Sequence, residues 1–229
     1  NEGLVRSVGL MPNMPEAERG WSLVADAGIA VGQHTNVCLG KPCADPALIP
    51  SMLNENDEFH SSRTFRDHFT RGEELIDFDE ACIEIRAQHD RFVEIVGREP
   101  DYFEAHAVMS KNLNRAISAV AQELGLKEQK ASFDPAAVVH CGDTDLRMVM
   151  RSMEPGYEPK EAIMQTVRGM VDGETVVFVC HPGYLDRFIL ENSSLTTDRT
   201  KEVDALIDPE LRAWLESQSD LRLIDYRDL

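Results

Sequence analysis

The sequence predicts an α/β fold: a parallel sheet or an irregular (β/α) barrel, carried as one domain over residues 1–229. Three observations predict it. Strand-like and helix-like runs alternate along the chain. A first strand, a helix and a second strand follow one another within about forty residues, the length of a βα repeat. Thr175–Cys180 (TVVFVC) is a short, almost wholly apolar run, the pattern of a strand buried on both faces.

The elements follow in order. Val5–Met11 (VRSVGLM) reads as a strand, broken by Pro12, Asn13 and Pro15. Glu16–Ala27 reads as a helix with Trp21, Leu23, Val24 and Ala27 as its apolar positions, stopped by Gly28. Ile29–Val37 is the second strand. Cys38–His60 has no periodicity and several Pro and Asn, so it reads as a long loop of the kind that is usually functional or mobile. Asp77–Val96 is the clearest helix: Cys82, Ile85, His89, Phe92 and Val96 fall on one face, Asp77 or Asp79 can cap it, and Gly97 follows. Asp101–Met109 reads as a strand and Lys111–Leu124 as a helix with Leu113, Ile117, Val120 and Leu124 inward. Ala136–Cys141 is an apolar strand and Pro159–Val171 a helix. His181-Pro182-Gly183 follows Thr175–Cys180 at once, Asp208-Pro209 opens a last helix, and Leu221–Ile224 reads as a short final strand. The chain opens at Asn1, almost directly on a strand-like run, which predicts that a first strand precedes it.

Composition narrows the function classes. A chain of 229 residues with 42% hydrophobic and 28% charged residues can bury a sizeable core. No apolar run is long enough for a bilayer and no signal-peptide pattern opens the chain, so a cytoplasmic protein without a membrane partner is expected. A net charge of −18 repels phosphate backbones and argues against nucleic acid. The five Cys (Cys38, Cys43, Cys82, Cys141 and Cys180) have irregular spacing and form no C-x-x-C pair, which suits reduced, buried thiols. A homodimer is the default assembly. Nucleotide and serine-hydrolase motifs are missing: there is no G-x-G-x-x-G, P-loop or G-x-S-x-G, and no H-E-x-x-H.

Three histidines stand where such folds build active sites. His34 lies late in a strand, His106 near the end of another, and His181 directly after the most apolar one. In a parallel arrangement those strand ends converge on one face. Imidazole suits zinc and related metals. Asn36 lies two residues beyond His34 on the same face, where it can orient a ligand or bind substrate. Glu104 stands in the same relation to His106, as an outer partner of a His or as a ligand itself. His181 in a His-Pro-Gly turn suits proton transfer or oxyanion stabilisation, and Gly183 lets a ligand approach the backbone. Asp186 can orient His181 or cap the following helix. Singly, a His at a strand end is more often a hydrogen-bonded structural residue, and His89 on its helix face reads as a core histidine.

These residues sit in stretches whose order is fairly specific: RSVGLMPNMPEA, GQHTN, PSMLNENDEF at Pro50–Phe59, EIRAQHDRFVEIVGREPDY, FEAHAV, FVCHPGYLD and DRTKEVDALIDPELRAWL. Together, over nearly the whole chain, they resemble the YdjC-like carbohydrate deacetylases, a family that includes chito-oligosaccharide deacetylases. The resemblance implies an irregular (β/α) barrel related to polysaccharide deacetylases. It implies a divalent metal, magnesium or zinc, held by one Asp and two His, with His34 and His106 as those two and His181 at the active site. It implies hydrolysis of an N-acetylated sugar by metal-activated water; beside it, Asn36, Glu104, Gly183 and Asp186 remain the candidate substrate contacts that their positions suggest. Two departures stand out. The family's paired Asp, one for the metal and one as base, is expected before Arg6 and is not found there. Glu104, Ala107 and Ser110 occupy positions where many relatives carry an Asp and extra His, which leaves the substrate open. The competing readings are a non-catalytic sugar-binding or interaction protein on the same fold, and a metal amidohydrolase acting on something other than a sugar.

Overall fold

The computed structural model describes residues 3–130 and 138–229. By its contacts the chain divides into two compact units. The larger takes the described residues of Ser7–Phe133, His140–Asp143 and Asp225–Leu229, and the smaller those of Asn1–Arg6, Asp134–Val139 and Thr144–Ile224.

The larger unit begins with β1 (Ser7–Leu10), α1 (Ala17–Val24) and β2 (Ala30–Thr35), the strand, helix and strand that the sequence predicts. Then come two 3-10 turns (Pro46–Leu48 and Pro50–Met52), α2 (Ser62–Thr70), α3 (Phe78–Val96), β3 (Phe103–Ala105) and α4 (Lys111–Leu124). The three strands pair in the order β1-β2-β3, and both pairings are parallel. Of the two candidate caps, Asp77 caps α3, its side chain accepting from the Asp79 and Glu80 N–H groups, and Gly97 ends it at φ 79. The long loop is not a loose flap: Val37, Ile49, Met52 and Phe59 are buried in the same core as Ile85 on α3 and Leu113 and Ile117 on α4. Glu84, wholly buried on α3, accepts the Cys43 and Ala44 N–H groups at 3.0 and 2.9 Å and so pins the loop from behind. A buried carboxylate is tolerable only when it is satisfied in this way.

The register of the sheet decides which side chains share a face. Gln33 pairs with Phe103, and Thr35 with Ala105, on the face that packs against α3, where the Gln33 amide donates to the Ile85 carbonyl at 3.2 Å. His34 pairs with Glu104 on the other face, with Gly9, Gly32 and Tyr102. The glycines keep that face open. A Cβ on Gly32 would lie 2.5 Å from the Tyr102 ring, and one on Gly9 would lie 2.4 Å from Glu104 Oε1 and 2.9 Å from His34 Cβ.

β4 (Val138–Cys141) is divided between the two sets of residues, and the smaller unit carries β5 (Thr144–Val149), α5 (Pro159–Arg168), β6 (Thr175–Phe178), α6 (Arg187–Asn192), α7 (Thr197–Leu206) and α8 (Pro209–Glu216). The second sheet runs β4-β5-β6, with β5 and β6 parallel. Ile163, Leu206, Leu211 and Leu215 form the smaller unit's core, with Phe178, Cys180 and Trp214 packed against them.

The fold is therefore α/β, as the alternation predicts, but the described strands form two three-stranded sheets and close no barrel. Closure takes about eight strands, and six are described. β6 is half-buried along its length, not buried on both faces, because it is the edge strand of its sheet. Leu221–Ile224 joins no ladder. The predicted strand at Ala136–Cys141 begins at Val138 among the described residues, and positions 136 and 137 lie outside them. No described helix is long and apolar enough to cross a membrane.

Candidate active site

In the larger unit the parallel register sets His34 beside Glu104, and their side chains meet: His34 Nδ1 lies 2.8 Å from Glu104 Oε1. The His106 N–H donates to the Thr35 carbonyl at 3.0 Å, which carries the β2–β3 pairing one residue past the strand end. That brings His106 Nδ1 within 2.8 Å of His34 Nε2, the two rings edge to face with centroids 4.8 Å apart. Proton counting fixes the roles. An ionised carboxylate only accepts, so His34 Nδ1 carries the proton. When the His34 ring is neutral, its Nε2 presents a lone pair, which takes the His106 Nδ1–H. Both His34 and Glu104 are only partly exposed, at 25% and 17% of their side-chain surface, so the pairing is shielded but reachable from solvent.

The donor types present, imidazole nitrogens, are ones that suit zinc and related metals, and His106 Nδ1 would have to give up its proton to serve as one. Two imidazole nitrogens converge, and a carboxylate behind one of them holds the tautomer that leaves Nε2 basic, the arrangement that commonly backs a metal-bound His. Among the described residues no group of three or more His, Cys, Asp and Glu side chains is arranged to hold a metal, so these two nitrogens are what those residues offer. Ala107, directly after His106, has φ 49, a left-handed backbone that a non-glycine residue adopts only under constraint from its surroundings.

In the smaller unit His181 follows β6, and its main chain is held on both sides by α7. Its N–H donates to Glu202 Oε2 at 2.6 Å, and its carbonyl accepts from Arg199 Nη1 at 3.2 Å. The Gly183 N–H donates to the Arg199 carbonyl at 3.3 Å. Its ring Nδ1 lies 3.4 Å from Ser152 Oγ, which donates to Glu202 Oε1 at 2.9 Å. The Tyr157 hydroxyl donates to the same oxygen at 3.0 Å, and burial, with the Glu202 charge next, pushes that phenol up.

The remaining candidates have defined places. Asn36 is wholly buried: its amide donates to Asn13 Oδ1 at 3.0 Å and to the Leu39 carbonyl at 2.9 Å, and its Oδ1 accepts the Cys38 N–H. Its main chain is read by Gln88 on α3, through N–H and carbonyl alike. Asp186 caps α6, accepting the Ile189 N–H at 2.8 Å. Gly183 has open space where a side chain would project, the nearest atom being Arg199 Cδ at 3.9 Å. His89 is the buried core histidine that its helix face predicts, 2.5 Å from Glu99. All five cysteines are free, and burial holds Cys38 and Cys141 up at about 11 and Cys43 and Cys180 at about 12. Thiols held so high are poor nucleophiles. Sequence reading missed Glu202, Ser152, Tyr157 and Arg199. One signal was available: Arg199 and Glu202 stand three apart in DRTKEVDAL, on one face of a helix.

Comparison with known proteins sets this geometry in context. The model of the YdjC-like protein family matches residues 1–217. The chain is 28% identical to carbohydrate deacetylase 2 of Listeria innocua over 233 residues, covering 100% of this chain and 89% of that one. It is 29% identical to the carbohydrate deacetylase of Geobacillus stearothermophilus, covering 99% and 87%, and 27% identical to the chitooligosaccharide deacetylase of Serratia marcescens, covering 99% and 89%. Among solved structures it is similar to a protein of Enterococcus faecalis described as a cellobiose-phosphate cleavage protein. The TM-score is 0.81 at 23% identity, over 99% of this chain and 88% of the other.

Proposed function

This chain belongs to the YdjC-like protein family, and from that premise we propose that it removes acetyl groups from N-acetylated sugars by hydrolysis. The observation that carries the reading is the Glu104–His34–His106 line of groups at the ends of β2 and β3. Relatives named as deacetylases of carbohydrates and of chito-oligosaccharides support the choice of substrate class.

In this reading His34 and His106 would hold a divalent cation, magnesium or zinc. When bound, the cation supplies Lewis acidity toward the acetamide carbonyl and acidifies a water. Glu104 keeps the proton on His34 Nδ1 so that Nε2 stays a donor. The amide C–N bond breaks to acetate and a free amino sugar as the leaving amine takes up a proton, and His181 has the chemistry for that proton transfer. The five unpaired thiols and the net charge of −18 favour a reducing, cytoplasmic setting with a small-molecule substrate and no nucleic-acid partner.

The test is acetate release from an N-acetylglucosamine oligosaccharide, with and without added divalent metal, by the wild-type protein and by His34→Ala. The expected result is metal-dependent release, with activity and metal binding lost together in His34→Ala. Full activity in that variant removes the metal assignment, and no release with any metal from folded protein removes the sugar deacetylase reading.

A further inference from the structure

We propose that Ser152 and Glu202 are positioning residues for His181, fixing its ring with the proton on Nδ1 through a relay from imidazole to serine hydroxyl to carboxylate. The functional half of this inference rests on the reading that His181 acts in deacetylation; the structural half does not.

Glu202 is wholly buried, Ser152 1% exposed and Tyr157 3%. A carboxylate so placed costs several kcal/mol unless donors satisfy it. Here two hydroxyls, from Ser152 and Tyr157, fill Oε1, and the His181 main-chain N–H fills Oε2 at 2.6 Å. One carboxylate therefore fixes both the backbone of the His-Pro-Gly turn and the hydroxyl facing its ring.

The proton count makes this directional. Ser152 has a single hydroxyl proton. Its contact with Glu202 is 2.9 Å and its contact with His181 Nδ1 is 3.4 Å. An ionised Glu202 has no proton to give, so the serine proton goes to the carboxylate. Toward His181, Ser152 can then only accept. His181 Nδ1 must carry the proton, and Nε2 becomes the nitrogen that exchanges protons with substrate. Arg199 adds rigidity by donating to the His181 carbonyl and, through its Nε, to the Leu195 carbonyl. The logic is that of a carboxylate setting the tautomer of a general acid–base histidine, with a hydroxyl interposed. Holding the tautomer before reaction also removes a reorganisation step from the proton transfer.

The experiment reads the ring directly. Full-length protein with 15N-labelled histidine is examined by long-range 1H–15N correlation, with His181→Asn identifying the His181 signals. The wild type is expected to show the Nδ1–H tautomer. Ser152→Ala is expected to move His181 toward Nε2–H and to lower kcat on the acetylated oligosaccharide about 10-fold with KM within about twofold, in line with losses at groups that orient a catalytic side chain. Ser152→Thr, which keeps the hydroxyl, is expected to restore both. Glu202→Gln is expected to do at least as much as Ser152→Ala; should it fail to fold, the small Ser152→Ala change carries the test. Retention of Nδ1–H in Ser152→Ala overturns the relay. If His181→Asn keeps wild-type kcat while the tautomer still responds to Ser152, the relay stands and the catalytic reading of His181 falls.

Discussion

At His34 the holding group is a side chain on the neighbouring strand; at His181 it is a carboxylate on a helix that also grips the main chain. Glu104 reaches His34 because parallel register makes the two residues partners, and nothing but that register and the space above Gly9 is needed. Glu202 reaches His181 from α7, 21 residues later in the chain, and its other oxygen is taken up by Ser152 and Tyr157 from the segment between β5 and α5. The first arrangement is sensitive to strand geometry and leaves His34 Nε2 facing His106. The second is buried and saturated with hydrogen bonds, which suits a histidine that must keep one orientation while its proton comes and goes. Two histidines of similar promise in the sequence are thus held in different ways.

That contrast can be broken at its weakest joint. The largest effect is expected from Gly9→Ala, whose new methyl would have to displace Glu104 Oε1 and press on His34 Cβ. A shift of about 1 Å in a site of this kind costs on the order of 100-fold in kcat/KM, and the overpacking lowers stability by about 1–3 kcal/mol. Acetate-release kinetics and a denaturant titration measure the two, and wild-type kinetics would show that the register contact is not used. Next comes Glu104→Gln, which keeps shape and acceptor but removes the charge behind His34; metal affinity by calorimetry is expected to fall about 10-fold. An unchanged affinity would mean that Glu104 does not tune the histidine. The smallest effect is expected from Asp77→Ala, which removes the cap of α3 behind the same sheet. It should lower stability by about 1 kcal/mol and leave kcat/KM unchanged, because the site hangs on strand pairing and not on how its supporting helix begins. A loss of activity there would tie the site to the helix after all.

How much of this was legible depended on whether a contact is local in the chain. Helix α4 runs from Lys111 to Leu124, as its apolar stripe predicts, and α3 differs from its predicted start by one residue because Asp77 stands outside the helix as the cap. β1 and β2 were equally plain. Helix α7 was not, since TDRTKEVDAL presents no apolar stripe, and α2 (SRTFRDHFT) is as polar. β5 was hidden for a related reason: Asp145 and Arg147 interrupt it, and Arg147 is paired with Glu174 across the connection to β6. At the candidate site, His34, Glu104 and His106 could be named from strand ends, whereas the partnership of His34 with Glu104 needed the register, which no single strand encodes. Asn36 was expected within the second strand but lies one residue past the end of β2, and its amide is spent on Asn13, Leu39 and Cys38. The contacts of Glu202 join residues 21, 45 and 50 positions apart, beyond the reach of any periodicity.

The clamp of Glu84 on Cys43 and Ala44, with Gln88 holding both polar groups of the Asn36 main chain, sets a rule for anyone recombining this protein with its relatives. The segment from Val37 to Phe59 is not a portable cassette. Its ends are written in one stretch of sequence and its fastening in another, some forty positions downstream. A chimera that imports the segment alone would strand the Cys43 and Ala44 N–H groups without their acceptor, whereas one that carries Glu84 and Gln88 along with it transfers the fastening as well.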